Sequence, residues 1–244
     1  MQIALISDIH GNLPALKAVL DDIRAQGADQ VIFLGDAATL GPHPKETLTS
    51  LRALDCVCIM GNHDSATLDP AQAADLQITA ALVPTLEWGR NLLSRKDLDF
   101  LRSFLPTYEL DPGHGIKILC YHGSPLSNTD MLLSTTAEET VDGLFAGQAA
   151  HILAGGHTHI QMIRQRGEQV ILNPGSVGNA FLEPFLPGGA TPTLLPWAEY
   201  ALVRVEKSEW SADLRRVRFD TQAVQRAAVA GGNPIKDWWL SQYR

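Results

Sequence analysis

Cysteine, positive charge and long apolar runs are all scarce in this chain, and each scarcity excludes something. Only three cysteines occur in 244 residues. Cys56, Cys58 and Cys120 all fall in apolar runs that read as strands, so the odd, buried set excludes a disulfide framework. Cys56 and Cys58 lie two apart, on one sheet face, and read as core sulfur in preference to a soft metal pair. Lys and Arg number 19 against 27 Asp and Glu, a net charge of −8. With no basic stretch, a protein that coats nucleic acid or an anionic membrane is not expected. A phosphate substrate stays open, because bound divalent cations reverse the local field of a site. No apolar run approaches the roughly 18 residues of a membrane span. Met1 leads straight into a strand without a charged n-region or a cleavage site, so a cytoplasmic protein is expected. Internal repeats and low-complexity tracts are missing too.

What is present suits one soluble domain over residues 1–244, with 45% hydrophobic and 19% charged residues and length enough for a full core. A strand over 3–7 leads to a helix over 13–26, which Asn12 can cap, Pro14 can open and Gly27 can end. Leu13, Leu16, Leu20 and Ile23 form its inner stripe. A strand at 31–35, a helix near 45–54 and a strand at 56–60 complete a β-α-β-α-β start, which implies parallel strands. Residues 65–115 read as a helical insertion of two or three helices. Strands recur near 117–122, 151–155, 160–165 and 169–173, the last two as a hairpin. Residues 181–197 read as a long irregular loop, followed by strands near 199–206 and 211–219 and a helical tail.

Five apolar runs end alike. Ile3-Ala4-Leu5-Ile6 precedes Asp8-Ile9-His10, and Val31-Ile32-Phe33-Leu34 precedes Gly35-Asp36. Cys56-Val57-Cys58-Ile59-Met60 precedes Gly61-Asn62-His63-Asp64. Ile118-Leu119-Cys120-Tyr121 precedes His122-Gly123, and His151-Ile152-Leu153-Ala154 precedes Gly155-Gly156-His157-Thr158-His159. Open α/β sheets bind ligands beyond the carboxyl ends of their strands. That rim collects Asp8, His10, Asp36, Asn62, His122, His157 and His159. Singly, an Asp or Asn after a strand is a turn former or a cap, and a lone His is a surface or core residue. Five of the eight histidines share this one context, however, which carries the set past the bland reading.

Seven ligands exceed one tetrahedral zinc. They suit two divalent ions among oxygen and imidazole donors, which manganese, iron, nickel and zinc all accept. Asp36 is the candidate bridge, since two cations about 4 Å apart share a carboxylate. A hydroxide held between the ions would be the nucleophile, with both metals drawing charge off the phosphoryl oxygens. His63 is left over and reads as a general acid for the leaving group. Asp64 reads as the group that orients the His63 imidazole and favours its protonated form. On the substrate side stand Asn12, whose firm role is the helix cap, and His43 in the turn Gly41-Pro42-His43-Pro44.

Taken together, these residues resemble the calcineurin-like metallophosphoesterase superfamily. Its ordered motifs D-x-H, G-D, G-N-H-D/E, a lone H and G-H-x-H all occur, in order, over residues 8–159. The resemblance implies an α/β fold, a four-layer α/β/β/α sandwich of two mixed sheets with outer helices, around a dinuclear metal site. It places Asp8, His10 and His159 on one ion, Asn62, His122 and His157 on the other, Asp36 as the bridge, and His63 beside the leaving group. A narrower resemblance, to the small bacterial and archaeal phosphodiesterase branch, rests on Ser7-Asp8-Ile9-His10-Gly11-Asn12, His122-Gly123-Ser124-Pro125 and Asn173-Pro174-Gly175-Ser176-Val177-Gly178, and on the stretch from Trp88 to Leu105-Pro106. That branch implies hydrolysis of phosphodiesters, phosphomonoesters or nucleotides.

The segment Gly35-Asp36-Ala37-Ala38-Thr39-Leu40-Gly41 lacks the Arg-Gly of the protein phosphatase branch, which weighs against that activity. The expectation is therefore a metal-dependent phosphoesterase acting on small phosphodiesters or nucleotides. It would use two divalent ions, manganese first, with iron, nickel or zinc as alternatives. A phosphomonoesterase or a dinucleoside polyphosphate hydrolase is the neighbouring reading. A non-catalytic scaffold of the same fold is disfavoured, because every ligand and His63 are kept. Homo-oligomerisation is left open. For the 181–197 loop, with Phe181, Phe185 and Trp197, an internally packed loop or a dimer contact ranks ahead of a lid or a base-stacking surface.

Overall fold

The computed structural model describes residues 1–185 and 191–243. The middle of the irregular loop read at 181–197 lies outside the described residues. The chain opens as β1 (Gln2–Ile6), α1 (Leu13–Gln26), β2 (Gln30–Phe33), α2 (Pro44–Leu54) and β3 (Val57–Cys58), with β1, β2 and β3 parallel. At the start of α1 the Asn12 side chain accepts from the Ala15 N–H at 3.2 Å, and Gly27 ends the helix at φ +71°. Leu16, Val19, Leu20 and Ile23 are buried, while Leu13 is only half-buried.

The helical segment then gives α3 (Asn62–Leu68), α4 (Val83–Asn91) and α5 (Arg95–Arg102), with short 3-10 turns between α3 and α4. It closes on β4 (Tyr108–Leu110), a strand the sequence reading missed because three residues are too few to show a period of two. β5 (Ile118–Cys120), α6 (Glu138–Leu144), β6 (Ile152–Ala154), β7 (Met162–Arg166) and β8 (Gln169–Asn173) follow. β9 (Trp197–Glu206), β10 (Glu209–Arg218), α7 (Thr221–Ala230) and α8 (Lys236–Ser241) complete the chain. α6 was not foreseen either, and β3 is shorter than the apolar run that forms it. Past Ile59, whose N–H still donates to Phe33 O at 2.8 Å, that run pairs with the end of the helical segment, where Met60 N–H donates to Leu105 O at 2.7 Å.

Two five-stranded mixed sheets result, ordered β10-β9-β1-β2-β3 and β4-β5-β6-β8-β7. The inner strands β1, β5 and β6 are apolar on both faces because each face meets a different core. Ile3, Leu5, Ile32 and Leu34 point between the sheets, against Ile118, Cys120, Ile152 and Ala154. Ala4, Ile6 and Phe33 point outward to Leu16 and Val19 of α1, Leu48 and Leu51 of α2 and Leu101 of α5. On the far side, Leu119, Tyr121 and Leu153 meet Val141 of α6 and the adjoining Phe145. Helices, sheet, sheet, helix make the four layers. Each buried Leu, Ile or Phe contributes about 1.5–3 kcal/mol, so both sheets are firmly seated and their carboxyl ends are brought to one rim. Cys56 and Cys58 share the outward face of the first sheet, and all three cysteines are free. Among the described residues, no helix is long and apolar enough to cross a membrane.

Candidate metal centre

Seven side chains reach that rim from both sheets. Asp8 and His10 follow β1, Asp36 follows β2 and Asn62 follows β3, while His122 follows β5 and His157 and His159 follow β6. Five of them sit in left-handed backbone: Asp8 (φ +53°), His10 (+47°), Asp36 (+65°), His157 (+68°) and His159 (+59°). An L-residue gives up roughly 1–2 kcal/mol there, and such positions concentrate at working sites. Backbone bonds hold the turns: Asp8 N–H donates to Gly35 O at 2.9 Å, His10 N–H to Asp36 O at 3.0 Å and Gly156 N–H to His122 O at 2.8 Å. The glycines beside the ligands are required by close approach. A Cβ on Gly35, at φ +107°, would lie 2.6 Å from His122 Nδ1. One on Gly156 would fall on Ser7 Oγ and lie 2.8 Å from Asp8 Oδ2.

The ligand atoms form two adjoining clusters. Asp8, His10 and His159 make one and Asp36, His122 and His157 the other, the atoms of each set lying within 4.8 Å of one another. Asp8 Oδ1 is 3.3 Å from His159 Nε2 and 3.8 Å from His10 Nε2. Asp36 Oδ2 faces both clusters, 3.7 Å from His10 Nε2 and 3.4 Å from His122 Nε2. Asn62 Oδ1 lies 3.3 Å from His122 Nε2, its amide turned the right way by donating to Leu76 O at 2.9 Å. Second contacts fix the imidazoles. His122 Nδ1 donates to Leu34 O at 2.7 Å and His159 Nδ1 to Asn179 O at 2.8 Å, which turns each Nε2 into the centre. His10 Nδ1 meets Thr39 Oγ1 at 3.0 Å.

Burial works against every charge here, so the partners decide. Burial would raise Asp8, but the His159 ring holds its carboxyl at about 2. It would raise Asp36 as well, yet His122 and His63 hold that carboxyl well below the usual range. His157 is pushed down to about 3 by burial and by the neighbouring His122, and burial likewise keeps His10 low. His122 goes the other way, to about 9, because the Asp36 carboxylate outweighs burial. Asp8 Oδ1 and His157 Nε2 are buried without a hydrogen-bond partner. Carboxylate, carboxamide and imidazole acceptors thus converge on one another, a donor set that fits divalent cations.

The centre opens on a cavity of about 850 Å³ whose floor includes His10, Asp36, Asn62, His63, His157 and His159. A model of the calcineurin-like phosphoesterase superfamily domain matches residues 1–189. The chain belongs to this superfamily. It is 30% identical over 240 residues to MJ0912 of Methanocaldococcus jannaschii, covering 97% of this chain and 94% of that protein. To the phosphodiesterase YfcE of Escherichia coli it is 27% identical over 202 residues, 79% of this chain and 84% of YfcE. The fold matches a metallophosphoesterase crystal structure from Sphaerobacter thermophilus with a TM-score of 0.75, over 99% of this chain and 98% of that one at 23% identity. The two mixed sheets with outer helices are therefore the metallophosphoesterase fold, and the family together with the two Asp/His clusters points to divalent-metal binding.

This phosphoesterase departs from the sequence reading in three side chains. Asp64 does not orient His63. Its Oδ2 accepts from the Asp36 N–H (2.7 Å) and the Gly61 N–H (3.1 Å), and its Oδ1 from the Ala37 N–H (2.9 Å). In the first turn of α3 the carboxylate meets the loop amides beside it, not the imidazole of the preceding residue. Asn12 is turned away from any phosphate: it is fully buried, its oxygen caps α1 and its Nδ2 donates to Gly178 O at 2.9 Å. His43 precedes α2, its N–H donating to Gly11 O at 2.9 Å, and neither Asn12 nor His43 is among the described residues that line the cavity. His63 does line it. Its N–H donates to Asp36 Oδ1 at 2.9 Å, its ring stands edge-on to His10 at 5.0 Å, and its Nδ1 is buried without a partner. Burial lowers the His63 imidazole, with the Asp36 charge opposing.

The sequence reading missed Asn179, and it had Phe181 only as a loop aromatic with no contact to the centre. Asn179 holds His159 through its carbonyl, and Phe181 stacks on the His159 ring at 4.3 Å. Trp197 belongs to β9 and packs under Arg216, whereas Phe181 and Phe185 line the cavity.

Proposed function

We propose that this chain is a two-ion phosphoesterase that hydrolyses small phosphodiesters or nucleotides. Asp8, His10 and His159 would hold one ion, Asn62, His122 and His157 the other, and Asp36 would serve both. The observation that carries this reading is Asp36 Oδ2, which faces His10 of one cluster and His122 of the other at 3.7 and 3.4 Å. These residues would hold divalent ions that, when bound, would lower the pKa of water to near neutrality and draw charge off phosphoryl oxygens. Manganese is the first candidate, and iron, nickel and zinc suit the same donors. The phosphodiesterase YfcE among its relatives supports a diester as substrate.

The chain's own residues supply position and a proton. Asp36 fixes the His63 backbone through Oδ1 while its Oδ2 faces the ligand cluster, so acid and centre are tied to one carboxylate. His63 is the general acid for the leaving oxygen. Burial disfavours its charged form in the free protein, and a phosphoryl anion entering the cavity counters that. The His63 Nδ1 is committed to no protein group.

The test is hydrolysis of bis(p-nitrophenyl) phosphate by chelator-stripped protein, before and after manganese is added, with metal content measured in parallel. Activity that returns with about two ions per chain is expected. Full activity in the stripped protein, or none with any of the four metals, would overturn the proposal.

A further inference from the structure

The cavity is much larger than a phosphate group, and what lines it beyond the metal end is specific. Among the described residues it carries no Lys, Arg or Glu, so nothing there would grip a second phosphate of a polyphosphate chain. Its walls are mostly apolar, with Gln77, Thr79 and Thr191 among them, and come from three separate parts of the chain: Ile78 and Leu82 from the helical segment, Phe181 and Phe185 from the loop before β9, and Trp238 from α8. Set into these walls are polar atoms without partners. Asn179 is 1% exposed, lines the cavity, and leaves both Oδ1 and Nδ2 of its carboxamide unpaired. The Trp238 indole N–H is also buried and unpaired. Buried polar groups are ordinarily satisfied, and an unsatisfied carboxamide is destabilising wherever nothing else requires it. One donor–acceptor amide, one further donor and two phenyl rings in a neutral cavity match a flat heteroaromatic group with donors and acceptors on its edge.

We infer that Asn179 and Trp238, with Phe181 and Phe185, form a base-binding subsite, so that the substrate is an ester of a nucleoside phosphate. The inference rests on the phosphoesterase reading for the placement of the phosphoryl group at the metal end. Asn179 and Trp238 are specificity residues: they pair the edge of the base, and the phenyl rings cover its faces. Asn179 also joins the two ends of the cavity, because its carbonyl holds the His159 ring while its side chain meets the substrate.

Binding, not turnover, tests this. Calorimetry on the manganese-loaded protein would compare the methylene phosphonate analogues of AMP and of ribose 5-phosphate, which differ only in the base and resist hydrolysis. The AMP analogue is expected to bind at least tenfold tighter. Asn179→Leu and Trp238→Phe should each bring that ratio down severalfold toward one. Asn179→Leu should also raise the Tm of the unliganded protein by about 2–4 °C, since a buried amide without partners is replaced by an apolar group of similar size. A residue with a purely structural role would give the opposite sign. Equal binding of the two analogues would overturn the subsite, and so would a base preference that both variants keep. A base preference in a protein that hydrolyses no ester would keep the subsite and remove the esterase reading, while metal-dependent hydrolysis without base preference would do the reverse.

Discussion

Replacing Asp64 by Asn tests whether the second and third ligand turns are held together by one carboxylate. Asp64 is 1% exposed, and its two oxygens take three backbone N–H groups from two separate loops. An Asn that keeps its oxygen in the Oδ2 position retains the bonds to Asp36 N and Gly61 N. It then turns an NH₂ toward the Ala37 N–H, donor against donor. Burial and the Asp36 charge push the Asp64 carboxyl up to about 7 against the three N–H donors. Its hydrogen bonds therefore fall between neutral and charged strength, about 1–2 kcal/mol each, and an unsatisfied buried donor costs about 1–3 kcal/mol. The two weakened bonds and the orphaned amide together suggest a loss of about 2–4 kcal/mol. For a domain of this size that is a fall in Tm on the order of 10 °C. Because the Asp36 amide is one of the three donors, metal affinity should fall as well, by about 10–100-fold, the usual effect of removing a group that orients a ligand. Thermal melting and metal content of Asp64→Asn measure both. Melting equal to that of the wild type would refute the cinch. A shifted pH–rate profile with unchanged melting would restore Asp64 to the role of orienting His63.

Three further outcomes follow from the same geometry. His63→Ala should lower kcat by about 10²-fold or more for an ester with a poor leaving group while metal content stays intact, the usual scale of a general acid; unchanged turnover would remove His63 from the reaction. Glu199 is pushed up to about 7 by burial, with Arg216 and Trp197 opposing. Its folded pKa thus lies above the ordinary 4.5, so its contribution to stability is full at low pH and is lost as pH rises from about 4.5 through 7. Tm measured against pH should fall less steeply over that window in Glu199→Gln, and parallel curves would refute the assignment. Chelation should lower Tm by an amount set by metal excess, about 2.7 kcal/mol at a hundredfold excess over Kd; a Tm indifferent to both chelator and added manganese would argue that the folded chain binds no ion.

The strand ends of this centre could be read in the sequence because each is a local event. An apolar run, a Gly and then an Asp, Asn or His mark the place where a strand leaves its sheet, and Gly35 and Gly156 prove to be places where a Cβ would strike a ligand or its neighbour. The four layers came from the family resemblance, and the runs over 118–121 and 152–154 prove apolar on both faces because each meets a core on either side. The division of ligands came from family resemblance, because spacing along the chain says nothing of which Nε2 faces which carboxylate. Local pattern failed where the outcome depends on tertiary direction. Asp64 and His63 are adjacent in sequence, yet the turn of α3 sends one side chain to the loop amides and the other to the cavity. Asn179 carries no local signal at all. It follows a turn-forming stretch, and its unpaired carboxamide becomes evident only when α8 and the loop before β9 close the cavity around it.

The ligand geometry also depends on how the two sheets are joined. Apolar packing between sheets is non-directional, so the facing cores alone would leave the rim free to slide. Polar bonds across the rim fix it. His122 of the second sheet donates to Leu34 O of the first, and His157 N–H donates to Asp8 Oδ2 at 3.0 Å. The turn after β8 stitches the end of β1 through Val177 N–H to Ser7 O, Gly178 N–H to Asp8 O and Ser176 Oγ to Asp8 O. Asp8 is thereby gripped at its carbonyl and at one carboxylate oxygen, and Oδ1 alone is left for the centre. The same bonds hold Asp8 and His157 in left-handed backbone that neither would choose. Ligand placement is thus determined by backbone contacts between the sheets, and the geometry is set before any ion or ester arrives.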